Sequence, residues 1–113
     1  MAATKEQIEK VLEDARNAID NKRVVPGNRK KTINTLAMLG LVWEDALEEI
    51  YTLNATHYNR GPFIDRDFPA DDCFWEFKKS VLGHIIYIKF KIRYLNDQAI
   101  LIQSFHFDEP KSM

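Results

Sequence analysis

The run YIKFKIRYLNDQAILIQSFH, residues 87–106, decides the fold. Apolar and polar side chains alternate through its first half, the period of a strand with one face in a core and the other outside. Asn96 and Asp97 then interrupt the pattern, and a second strand-like run follows. With these two residues at the centre of a tight turn, Leu95 faces Gln98, Ile88 faces Phe105 and Tyr87 faces His106. Ile86, Ile88, Phe90 and Ile92 then share a core face with Leu101 and Phe105. The opposite face carries Tyr87, Lys89, Lys91, Arg93, Ser104 and His106.

Upstream, residues 73–79 form a further strand candidate, followed by the loop SVLG. Pairing Lys79 with His84 across that loop puts Glu76 opposite Tyr87 and turns Cys73, Trp75 and Phe77 toward the core. Glu76, Tyr87 and His106 would then form one row across three strands, 73–79, 84–94 and 98–107, with Lys78 and Lys89 beside it. A slip of one residue would exchange the two faces.

The first half of the chain reads as helix. Ile8, Val11, Leu12, Ala15 and Ile19 make an apolar stripe over residues 4–22, opened by a capping box of Thr4 and Gln7 and closed before Pro26 and Gly27. A second run places Ile33, Leu36, Ala37 and Leu39 on one side and stops at Gly40, a C-cap. A third carries Val42, Trp43, Ala46, Leu47, Ile50 and Tyr51. Residues 54–72 lose all periodicity and read as a long loop pinned by Tyr58, Phe63 and Phe68. The expected architecture is α+β in a single domain, residues 1–113. Residues 1–53 are mainly helical, 54–72 a loop and 73–107 a twisted antiparallel sheet of at least three strands, with the helices packed on one face.

Composition agrees with one globular core: 113 residues, 45% hydrophobic and 29% charged. The apolar runs are shorter than a membrane span, and the N-terminal residues lack the apolar core of a secretion signal, so a cytoplasmic location without membrane contact is expected. Cys73, the lone cysteine, is expected to be a small buried hydrophobe. His57, His84 and His106 have no ligand spacing, so neither a metal nor another cofactor is expected. Net charge is -1, but its distribution is uneven. Acidic residues (Glu6, Glu9, Glu13, Asp14, Glu44, Asp45, Glu48, Glu49) crowd the helical half, and basic ones gather at 22–31 and 78–93.

A carboxylate, a phenol, an imidazole and lysines on one sheet face match the needs of RNA cleavage by its own ribose hydroxyl. A base takes the hydroxyl proton, cations stabilise the charge growing at phosphorus, and an acid protonates the leaving oxygen. Glu76 is the candidate base, His106 the candidate acid, and Tyr87 an orienting or proton-donating group. Lys78 and Lys89 would hold the phosphate, and Lys91 extends the basic surface for RNA. A plainer reading treats this face as solvated lysines, Glu76 as half of a cross-strand ion pair, and Trp43 and Trp75 as packing.

The blocks LAMLGLVWEDALEEIYTLNATHYNRGP, DRDFPADD, FWEFKKSVLGHIIYIKFKI and ILIQSFH, within residues 34–106, resemble the MqsR family of bacterial type II toxins. That family is similar in fold to the RelE and YoeB group. The resemblance implies an endoribonuclease that cleaves mRNA without a metal and is silenced by a cognate antitoxin, with the ribosome a further candidate partner. It implies functional roles for Arg60, Glu76, Tyr87 and His106, of which Arg60 would join the phosphate clamp. Glu76 and His106 look closer to the acid and base pair of the YoeB-like relatives. The alternative is a non-catalytic module, derived from such a toxin, that binds RNA or protein.

Overall fold

The computed structural model describes residues 3–25, 30–64, 73–96 and 98–107. Helix α1 spans Lys5–Asp20, a short strand β1 Val24–Val25, α2 Lys30–Leu39 and α3 Trp43–Tyr51. A single 3-10 turn at Ala55–His57 leads into β2, Tyr58–Phe63. Then come β3, Phe74–Val81, β4, His84–Leu95, and β5, Gln98–Phe107. The arrangement is α+β, with the helices ahead of the main sheet in sequence.

The strands form one sheet in the order β1-β5-β4-β3-β2. Neighbours from β2 to β5 run antiparallel, and β1 joins β5 in parallel. The β4–β5 ladder has the expected register, with Leu95 opposite Gln98, Ile88 opposite Phe105 and Tyr87 opposite His106.

One side of this sheet faces the helices. Phe77, Ile86, Ile88, Phe90 and Leu101 are wholly buried there against Leu12, Ala15, Ala46 and Ile50. The rings of Phe77 and Phe90 stack at 5.4 Å. Tyr58 meets Phe77 edge-on at 6.1 Å. Burying such side chains contributes about 1.5–3 kcal/mol each, so this layer dominates the stabilisation.

Local signals act as their chemistry requires. The Thr4 hydroxyl accepts from the Gln7 amide at 3.1 Å, and the Gln7 side chain accepts from the Thr4 amide at 2.9 Å. Gly40 ends α2 with φ +70, and the Leu41 N–H closes back on the Leu36 carbonyl at 2.9 Å. A residue with a Cβ pays a steric penalty in that left-handed conformation.

Several expectations are overturned. The run 54–72 is not one long loop, since Tyr58–Phe63 pairs with β3 as an edge strand. Backbone hydrogen bonding supplies what side-chain alternation does not, and an edge position tolerates Gly61 and Pro62. Phe68 lies outside the described residues. In α2 the buried positions are Thr32 and Thr35, with Leu36 and Leu39 half-buried, whereas Ile33 and Ala37 are exposed. That set also has helical spacing, and contact with β5 selects it. Cys73 is exposed, because it lies one residue before β3 begins.

The β3–β4 hairpin is tighter than expected. Val81, not Lys79, faces His84, and the turn consists of Leu82 and Gly83 with φ 51 and 81. Two positive φ values in succession match the twist of the flanking strands. The two-residue shift leaves Glu76, Phe77, Lys78, Tyr87 and Lys89 on their expected faces but moves every partner. Glu76 faces Lys89, and Lys78 faces Tyr87.

Candidate functional site

The face turned away from the helices is organised in rows. One row runs Arg60, Glu76, Lys89 and Ser104; the next runs Lys78, Tyr87 and His106. Glu76 is therefore not in line with Tyr87 and His106. It sits one row away, two residues along the strand, or about 6.6 Å. The side chains of Ser104 and His106 lie outside the described residues. Their backbone positions, opposite Lys89 and Tyr87, are given by the ladder.

Glu76 is only 8% exposed, although it points away from the core. The reason lies in β2. Register shifts interrupt its pairing between Tyr58 and Arg60, and again between Arg60 and Phe63. Such bulges break side-chain alternation, so consecutive residues can address the same group. Asn59 Nδ2 donates to Glu76 Oε2 at 2.6 Å, and Arg60 Nε donates to the same oxygen at 3.0 Å. A nearly buried carboxylate thus receives two donors, one of them charged, as burial of a carboxylate demands.

Gly61 makes that approach possible. Its φ is +128, and a Cβ there would lie 2.9 Å from the Phe74 carbonyl oxygen and 3.0 Å from the Trp75 Cα. Only glycine lets β2 come this close to β3. Tyr58, on the core side, donates from its hydroxyl to the Gly61 carbonyl at 2.5 Å.

Cations on this face lie over rings. Lys78 Nζ is 4.8 Å from the centre of the Tyr87 ring. The Arg60 guanidinium is 4.2 Å from Phe63. Lys89 is 4.5 Å from Phe74 and 5.5 Å from Phe63, and Lys91 is 4.9 Å from Phe74. Lys91, at 5% exposure, is effectively buried beside that ring. This depth separates it from Lys78 and Lys89, which remain half-exposed. Arg60, Glu76, Lys78, Tyr87, Lys89 and Lys91 are thus gathered on one face. Sequence reasoning missed Asn59 and gave Phe74 no role. The one available signal was Asn59 standing directly before Arg60.

A groove of about 460 Å³ opens on the other side of the sheet, lined by Val11, Asp14, Trp75, Ile92 and Tyr94 among others. It contains none of the expected site residues. Its carboxylate, Asp14, accepts from Lys10 at 3.0 Å and from the Tyr94 hydroxyl. Asp14 holds the Lys10 ammonium above its ordinary pKa, first through that hydrogen bond and then through its charge. This is a bridge from α1 to β4. Among the described residues, no helix is long and apolar enough to cross a membrane.

No known protein-family model matches the chain, and no curated protein matches it significantly.

Proposed function

We propose that this chain is the toxin of a type II toxin–antitoxin system, a cytoplasmic endoribonuclease of MqsR type acting on single-stranded mRNA. The observation that carries the reading is the pair of adjacent rows, Arg60–Glu76–Lys89 and Lys78–Tyr87–His106. Glu76 and His106 lie two strands and one row apart, about 12 Å between their backbones from strand spacing and rise, with Tyr87 on the strand between them, which leaves room for a phosphodiester between base and acid.

In the proposed reaction, Glu76 takes the proton of the ribose 2′-hydroxyl, and the 2′-oxygen forms a bond to phosphorus. The bond from phosphorus to the 5′-oxygen breaks, and His106 protonates that oxygen. The products are a 2′,3′-cyclic phosphate and a 5′-hydroxyl end. Lys78, Lys89 and Arg60 hold the phosphate oxygens as charge builds on them, and Tyr87 orients the group between the rows. For Glu76 to act as base, Arg60 must turn from its carboxylate toward the phosphate, a change that substrate charge itself favours. A cognate antitoxin, and the ribosome as a site of action, complete the proposed partners.

The occupied state of Glu76, which accepts from both Asn59 and Arg60, favours a second reading. In it the face binds RNA or protein without turnover, and the carboxylate only positions Arg60.

Incubation of the purified chain with end-labelled RNA in excess chelator, beside Tyr87→Phe and His106→Ala, separates the two. Cleavage to cyclic phosphate ends that falls about a hundredfold or more in His106→Ala supports the nuclease. Intact RNA, with and without ribosomes, alongside retained RNA affinity, gives the binding module.

A further inference from the structure

Two aromatic rings on the site face do nothing for the main core. Phe63 and Phe74 are half-buried and pack on each other at 5.9 Å, tilted by 34°. Neither belongs to the apolar cluster formed between the helices and the sheet. Among the described residues, the cations of Arg60, Lys89 and Lys91 lie over these rings. A ring pair placed outside the core and ringed by positive charge differs from ordinary packing, which would bury it among aliphatic groups.

Its place in the ladder gives it a role. Phe63 faces Phe74 at the start of β3, two residues before Glu76. That is one row, about 6.6 Å along the strand, beyond the row of Glu76 and Lys89. The step matches the reach of one nucleotide along an extended strand. Lys89 belongs to both sets, because it faces Glu76 in the ladder and its amine lies over the Phe74 ring.

We infer that Phe63 and Phe74 form a base-stacking subsite for single-stranded RNA, one nucleotide from the phosphate held by Arg60 and Lys89. The subsite rests on the proposed reading of this face as an RNA site. Aromatic rings accept any base on their π-face, and flanking cations take the backbone phosphate. Lys91, buried against Phe74, holds that ring in place, while Arg60 and Lys89 are shared between ring and phosphate. The subsite would hold a splayed-out base and keep the neighbouring phosphodiester extended across the Glu76 and Tyr87 rows. It reads unpaired over paired RNA, because a base inside a duplex has no free face.

The test uses 2′-O-methyl RNA oligomers, which cannot supply the attacking hydroxyl, with one position either carrying its base or abasic. Charge is identical in the two, so a difference reports contacts to the base, which the ring variants then assign. Wild type should bind the base-bearing oligomer about tenfold more tightly or better than the abasic one. Phe63→Leu and Phe74→Leu, which keep apolar bulk, should lose that preference, and Lys89→Ala should weaken both oligomers alike. Equal wild-type affinity for the two oligomers, or a preference that survives in both leucine variants, overturns the subsite. Failure of the nuclease reading is read elsewhere. Wild type that prefers the base-bearing oligomer yet cleaves no natural RNA retains the subsite and loses the enzyme. Cleavage without base preference does the reverse.

Discussion

Lys78 and Lys79 are neighbours on one strand and live in different chemistry. Lys79 points to the helices, where its amine meets the Glu49 carboxylate at 2.8 Å and the Glu49 carbonyl at 3.2 Å. It also bonds the Thr52 hydroxyl, so a cation closes the C-terminal end of α3. Lys78 points the other way and lies over Tyr87. The whole sheet repeats this contrast. One face gains its stability from buried Phe77, Ile88 and Phe90; the other presents charges over rings. Because β-strand side chains alternate, the two faces can be altered independently.

The largest expected effect tests that independence. Phe77→Ala should cost about 3–5 kcal/mol, since it removes a wholly buried ring stacked on Phe90. Lys78→Ala, one residue away, should change stability by no more than about 0.5 kcal/mol. Urea unfolding of both variants settles the matter. A comparable loss for Lys78→Ala would mean that the site face also holds the fold together.

The seam between the faces comes next. Gly61→Ala should cost about 1–3 kcal/mol, because the new Cβ meets β3 backbone that cannot step aside and the φ of +128 suits no side chain. The damage should be local. Amide exchange should quicken at Trp75 and Glu76 more than at Ile88, since β2 is the edge and β4 is central. Uniform loss of protection would show instead that β2 is part of the main cooperative unit.

What could be read from sequence follows the same division. The β4–β5 hairpin was legible because Ile86, Ile88, Phe90 and Ile92 alternate with polar residues over a long strand, and Asn96, with φ 54, marks the turn. The α+β class followed from that and from the apolar stripe of α1. Strand β2 was hidden, since Tyr58, Asn59, Arg60, Gly61 and Pro62 carry no period and are held by backbone pairing and bulges. The partner of Glu76 was missed for a related reason. Leu82 occupies a left-handed turn position that Asn or Gly would have advertised, so the turn looked two residues longer than it is. An even error of register preserves faces, which is why Glu76, Lys78, Tyr87 and Lys89 were correctly grouped on one face while their rows were wrong.

The smallest effect concerns the helix side again, near Lys79. His57 Nδ1 accepts from the Asn54 amide at 3.0 Å, closing the capping box of the 3-10 turn. Burial, and then the positive charge of Lys79, push the His57 pKa below the ordinary histidine value, with Glu49 partly opposing. Since the unfolded chain takes up the proton first as pH falls, the contribution of His57 is complete above about pH 6.5 and declines below it toward the folded-state pKa. His57→Gln can still accept from Asn54 through its carbonyl but does not titrate. Melting temperatures of wild type and variant should therefore run parallel above about pH 7, and the wild type should fall further between about pH 6.5 and 5. Parallel curves throughout would place the histidine in solvent, with Lys79 serving Glu49 alone.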